Sequence, residues 1–236
     1  MAASETLGDA PVGSGTAGVV VRRWWLYGGL VAVGLLLVSA LALRPADEVP
    51  DLPLSEDAYY AFSVSQNLVH GNGLTIDGGH ATNGFQPVFT VVSAPLVLLE
   101  ELFALRLVLI VQGVVLVATG LVLGRIVAEA TDAARGGRTA LVTLLTAALY
   151  VGASFLFRTH LNGLETGWLL LMYALLWRRH QTHGLESRRD AVVIGVLAGL
   201  VVLTRIDAVI VLAGYAVTVL IAERRHARRI TSHLAV

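Results

Sequence analysis

The sequence contains no cysteine and no lysine. The first absence excludes disulfide frameworks and thiolate metal sites. The second leaves arginine as the only strong base, 17 of them against 17 acidic residues, for a net charge of zero. That balance excludes a nucleic-acid binder working through a basic patch. Charge is scarce altogether: 14% of the 236 residues, against about 25% in soluble domains. What replaces it is apolar. Hydrophobic residues make up 56% of the chain and mean hydropathy is +0.72, which excludes a disordered tail and a soluble enzyme. The excess is concentrated in runs such as 25–43, 139–157 and 208–222, none of which holds a charged residue. The expected fold is all-α: a polytopic protein integral to the cell (plasma) membrane.

Residues 1–21 are small and polar and read as a disordered cytoplasmic N-terminus. Arg22 and Arg23 then precede an apolar run ending at Leu43. Ala40-Leu41-Ala42 resembles a signal-peptidase site, but the run exceeds the usual signal core of about 7–15 residues and is long enough to span. A retained anchor is the expected reading. The stretch 44–85 is polar and rich in turn formers, and five of the six prolines lie between 45 and 95. Within it, apolar or aromatic residues at 58, 59, 62, 64, 68 and 69 predict an amphipathic helix over 56–70, ended by Gly71 and Gly73. The run 86–99 is apolar but short, and holds Pro87 and Pro95. It suits a half-embedded segment better than a crossing.

Arginine placement decides between the two topologies. With 86–99 not crossing, six spans are expected near 25–43, 104–125, 139–157, 164–178, 190–204 and 207–222, with an external loop over 44–103. Arg22, Arg23, Arg125, Arg135, Arg138, Arg178, Arg179, Arg188, Arg189, Arg224, Arg225, Arg228 and Arg229 then all face the cytoplasm. The opposite choice leaves only a minority inside, so the positive-inside rule selects the first. The module covers 22–225, and 226–236 is a cytoplasmic tail, expected to be truncated. Residues 190–222 read as a hairpin turning at Thr204-Arg205-Ile206-Asp207. Each arm of roughly 22 Å is shorter than the about 30 Å hydrocarbon core. Arg205 and Asp207 are therefore expected in a polar cavity just below the external surface.

The external segments carry a biased set of residues: Glu56, Asp57, Tyr60, Asp77, His80, Asn83, Gln86, Arg158, His160, Asn162, Glu165, Arg205 and Asp207. Each has a structural explanation beside the chemical one. Ser55 can cap a helix whose positive end favours Glu56 and Asp57, and Glu165 sits equally well in the first turn of a span. The histidines read as polar loop residues, because no His-x3-His spacing occurs. Tyr59, Tyr60, Phe62, Phe85 and Phe89 fit interfacial aromatics. Arg205 and Asp207 fit an ion pair that stabilises the hairpin.

Taken in order, SEDAYYAFSVSQNLVHGNGLTID, TNGFQPVFTVVSAPL, LNGLETGWLLL and LTRID resemble the N-terminal module of the GT-C superfamily. These are membrane glycosyltransferases that use polyprenyl-phosphate-linked sugars, here of protein mannosyltransferase and aminoarabinose transferase flavour. The resemblance spans roughly 20–225. It implies an inverting transfer on the external face to an acceptor hydroxyl of a glycan, lipid or protein. Asp57 would be the base, Glu56 its partner, and Arg205 and Asp207 would bind the donor phosphate. Tyr60, His80, Asn83, Gln86, Arg158, Asn162 and Glu165 would contact substrate. No cofactor is required, though a divalent metal held by Asp57 and Glu165 is compatible. Two features depart from the family: the pair is Glu56-Asp57 where Asp-Asp, Asp-Glu or Glu-x-Asp is common, and further spans usually follow. A non-catalytic reading stands beside this one, as a partial or inactive GT-C-like partner or a transporter fragment.

Overall fold

The computed structural model describes residues 15–131, 138–185 and 187–234, with side chains described from 25 to 221 within those limits. The chain folds as α1 (Gly15–Ala42), α2 (Glu56–Val69), α3 (Pro87–Ser93), a 3-10 turn (Leu96–Leu98), α4 (Glu101–Ala130), α5 (Thr139–Gly152), α6 (Ser154–Leu161), α7 (Thr166–His183), α8 (Arg188–Thr204) and α9 (Ala208–Leu234). Among the described residues there is no strand, only an isolated bridge between Thr75 and Ala81. The all-α expectation holds.

Contacts along the long helices fix their relative directions. Gly34 of α1 faces Val117 and Val38 faces Gly113, while Arg106 donates to the Arg44 carbonyl at 3.2 Å, so α1 and α4 run antiparallel. Gly120 faces Ala147 and Gly124 faces Thr143, so α4 and α5 are antiparallel as well. A Cβ at Gly124 would collide with the Thr143 carbonyl, so these two backbones touch because the residue is glycine. Helix α7 runs with α4: Gln112 meets Leu164 near one end, and Glu129 meets Arg178 at 3.2 Å near the other. Helix α8 runs back, since Glu165 meets Arg205 at one end and Arg179 pairs with Asp190 at the other. Helix α9 returns alongside α7, with Tyr173 donating to the Ala208 carbonyl and His180 lying edge-on to Tyr215. The reversal falls at Arg205–Asp207, where the sequence places its turn.

Among the described residues two helices are long and apolar enough to cross a bilayer by themselves, over Trp25–Ala42 and Glu101–Ala130. At 1.5 Å per residue the 30 residues of α4 reach about 45 Å. A third crossing exists if α5 and α6 are counted as one broken span, bent by 71°. This corrects the continuous span expected over 139–157: Ala153 is extended (φ −73°, ψ 111°) and ends α5. The expected spans at 164–178, 190–204 and 207–222 correspond to α7, α8 and the apolar Ala208–Ile221 part of α9. Helix α8 has only 17 residues, and α7 ends in a polar turn with His180 and His183. The run 86–99 forms α3 and the 3-10 turn, too short to cross.

The N-terminal expectation is corrected too. Residues 15–21 belong to α1, because Val19, Val20 and Val21 extend the apolar run with no proline to stop it. Residues 1–14 lie outside the described residues, as do Arg135 and the last two positions of the 226–236 tail; 226–234 continue α9.

Candidate functional site

Three segments converge at the end of the bundle where α1 and α8 finish and α4 and α7 begin. A core of Val38, Ala42, Val49, Leu54, Leu105, Leu109 and Leu161 joins α1, α4, the segment before α2 and the end of α6 there, with Tyr59, Phe62 and Phe157 packed around it.

The first segment is the start of α2. Ser55 is extended and precedes the helix, but its side chain makes no capping bond, contrary to expectation. Its backbone N–H (2.9 Å) and its hydroxyl (3.1 Å) both donate to the Asn162 carbonyl. The residue that opens α2 therefore ties it to a loop 107 positions away. Glu56 and Asp57 stand exposed on the first turn, where unsatisfied N–H groups favour negative charge.

The second segment is the loop from Asn162 to Glu165. Gln112, buried in the first half of α4, holds it from below. Its Nε2 donates to the Leu164 carbonyl (3.0 Å) and its Oε1 accepts the Gly163 N–H (3.1 Å). The Asn162 side chain accepts the Leu164 N–H at 3.0 Å. Gly163 has φ +80°, and a Cβ there would stand 2.6 Å from the Ala58 Cβ and 2.9 Å from Leu54 Cδ2. The loop is pressed onto α2 one residue from Asp57.

The third segment is the turn between α8 and α9. Arg205 Nε donates to both Asp207 oxygens, at 2.9 and 3.1 Å. Its terminal nitrogen lies 3.5 Å from Glu165 Oε1. Glu165 is 3% exposed, and its Oε2 is buried with no hydrogen-bond partner among the described residues. A buried carboxylate is costly unless paired, and a single 3.5 Å contact is at the weak limit of hydrogen bonding. Glu165 does not cap α7 with its side chain; it turns toward Arg205. One guanidinium thus faces two carboxylates, with its side chain 43% exposed.

The remaining sequence candidates stand apart. Tyr60 is exposed on α2, Asn83 is exposed, Gln86 precedes α3 at its N-terminus, and Arg158 is exposed on α6. His80 is exposed and engaged with Asp77 at 2.8 Å. That bond, the N–H groups of His80 and Gly79 and the Thr75 hydroxyl hold the Asp77 carboxyl well below its usual range. No hydrogen bond or ion pair among the described residues links Tyr60, His80, Asn83, Gln86 or Arg158 to the Glu165–Arg205–Asp207 cluster. His160 is a buried residue of α6, not a loop residue; its Nδ1–H donates to the Leu156 carbonyl at 2.9 Å. Among the described residues no three His, Asp or Glu side chains gather closely enough to hold a metal ion. The sequence reading passed over Ser55 as a tie, Gln112 and Gly163. An isolated amide inside an uncharged apolar run was the one available signal for Gln112, since such residues in a span face the protein interior.

No protein-family model matches the chain, and searches of curated proteins and of solved structures find no similar protein.

Proposed function

We propose that this chain is a GT-C-type membrane glycosyltransferase module, moving a sugar from a polyprenyl-phosphate donor to an acceptor hydroxyl at the external face. One observation carries the reading: the acidic start of α2 is bound through Ser55 to the same loop whose Glu165 contacts Arg205. Carboxylates and a cation from three distant segments thereby share one end of the bundle. In the proposed reaction a carboxylate, Asp57, takes the acceptor proton as the hydroxyl oxygen attacks the anomeric carbon. The bond from that carbon to the lipid phosphate breaks with inversion, and a cation stabilises the charge on the departing phosphate oxygen. Arg205 suits that role because a guanidinium presents a planar fork to phosphate.

The proposal includes six crossings, by α1, α4, α5 with α6, α7, α8 and α9, with the N-terminus in the cytoplasm. The alternating helix directions support it. So does the arrangement of arginines: Arg125, Arg138, Arg178, Arg179, Arg188 and Arg189 lie at the end opposite the candidate site, as the positive-inside rule requires of a cytoplasmic face. With no native cysteine, single cysteines report the topology without background. Gly78→Cys is expected to react with an impermeant thiol reagent from outside. Gly184→Cys and Gly136→Cys, the latter outside the described residues, are expected to stay protected. External labelling at 184 or 136 would remove the arrangement and the assignment with it.

Arg205 offers a second check. If it binds the donor phosphate, Arg205→Lys weakens donor affinity by about 1.5–3 kcal/mol, the scale of a hydrogen bond to a charged group, while thermal stability persists. A purely structural Arg205 gives the reverse pattern. Affinity then survives in the lysine variant, and Arg205→Leu destabilises by stranding the buried Glu165. Donor affinity and thermal unfolding, measured on both variants, separate the two.

A further inference from the structure

We propose that the groove between α4, α7 and α9 holds one acyl chain of an anionic membrane phospholipid, whose phosphate is received by Arg125 and Arg178 at the arginine-rich end. The groove encloses about 600 Å³ and runs along Leu170–Trp177 of α7 and Val211–Thr218 of α9, with Leu123 and Ile126 of α4 as its floor. Among the described residues its lining is apolar apart from tyrosine and threonine hydroxyls, with no charged residue. Its volume lies within the range of small-molecule sites, and its wall is made for hydrocarbon.

Charge at one mouth selects the occupant. Ile126 lines the groove floor, and Glu129, three residues on and so on the same face of α4, is the carboxylate that both Arg178 and Arg125 reach. Arg178 meets Glu129 Oε1 at 3.2 Å, and Arg125 Nε lies 4.0 Å from that oxygen. Two guanidiniums therefore share one negative charge on the two helices that wall the groove. Among the described residues of this cluster one positive charge is in excess. Both side chains are open to the surroundings, at 37% and 44% exposure. Arg138, Arg188 and Arg189 add to the positive potential of that end. A headgroup with its own ammonium would offset this attraction; a net anionic headgroup would not. Trp177, half exposed, is suited to the boundary between acyl chains and headgroups. This inference requires membrane embedding and is independent of the glycosyltransferase reading.

The test reconstitutes the full chain in bilayers of equal dioleoyl phosphatidylglycerol and dioleoyl phosphatidylcholine, and reads the retained lipid by native mass spectrometry. Phosphatidylglycerol is expected to be enriched at least about fivefold, the worth of one arginine beside an anionic lipid. The triple variant Arg125→Gln, Glu129→Gln, Arg178→Gln removes the charges without stranding the carboxylate, and should abolish the preference. Gly214→Leu needs no folding concession, because nothing lies within 4 Å of a Cβ at that groove-lining position. It should fill the groove and expel the lipid with thermal stability retained. Equal retention of the two lipids by the wild type, an unchanged preference in the triple variant, or full retention in Gly214→Leu would each overturn the proposal. So would displacement of phosphatidylglycerol by a polyprenyl phosphate, which would give the groove to the donor.

Discussion

Replacing Asp57 with asparagine is expected to lower sugar transfer by about 10²–10⁴-fold, the usual worth of a positioned general base. The measurement is single-turnover transfer from a polyprenyl-phosphate-linked sugar in an active full-length context. Asp57 is exposed on the first turn of α2, so the change removes a proton acceptor without disturbing the packing beneath. Donor affinity should hardly move. If Asp57 served only the helix dipole, the same substitution would cost about 0.3–1 kcal/mol of stability and leave turnover intact. The two readings thus disagree in both observables. Wild-type turnover in the asparagine variant would shift the base elsewhere, with Glu165 the next carboxylate in line.

Gly163→Ala should be the most damaging single methyl in the candidate site. Forcing an L-residue to φ +80° costs about 1–2 kcal/mol, and pushing a Cβ to 2.6 Å from the Ala58 Cβ adds an overpacking cost of about 1–3 kcal/mol. A total loss of about 2–5 kcal/mol is expected in denaturant unfolding. Adding Ala58→Gly should recover the part due to the clash with Ala58, but neither the contact with Leu54 nor the backbone strain. Full stability in the single variant would mean that the loop does not sit against α2. Because Gly163 lies between Ser55's partner Asn162 and Glu165, lifting the loop should also reduce transfer in the variant that still folds.

Local signals made several elements readable in advance. The aromatic spacing of 58–69 with Gly71 and Gly73 marks α2, and prolines with short length mark α3 as a segment that does not cross. A charged pair between two apolar runs marks the reversal at Arg205–Asp207. What escaped was non-local or lacked a breaker residue. Apolar character continues from 139 to 157 across Ala153, so hydropathy alone draws one straight span where the backbone bends by 71°. Ser55 looks like a helix cap from its neighbours, and only the fold brings the Asn162 carbonyl to it. The clustering of Glu165 with Arg205 and Asp207 spans 40 positions, whereas His80 and Asp77, just as polar, find each other three residues apart.

Gln112 carries a consequence for how this end of the molecule breathes. Its carboxamide holds the N–H of Gly163 and the carbonyl of Leu164 from inside a 30-residue helix, so releasing this turn means moving the helix or breaking a buried amide pair. Surface loops ordinarily exchange their amide hydrogens through small local openings, while helix interiors wait for larger ones. Gly163 belongs to a loop by conformation and to α4 by its hydrogen bond, so its amide inherits the slow clock of the helix. The loop is thereby tied both to α4 and, through Asn162, to the start of α2, so opening it means parting from both.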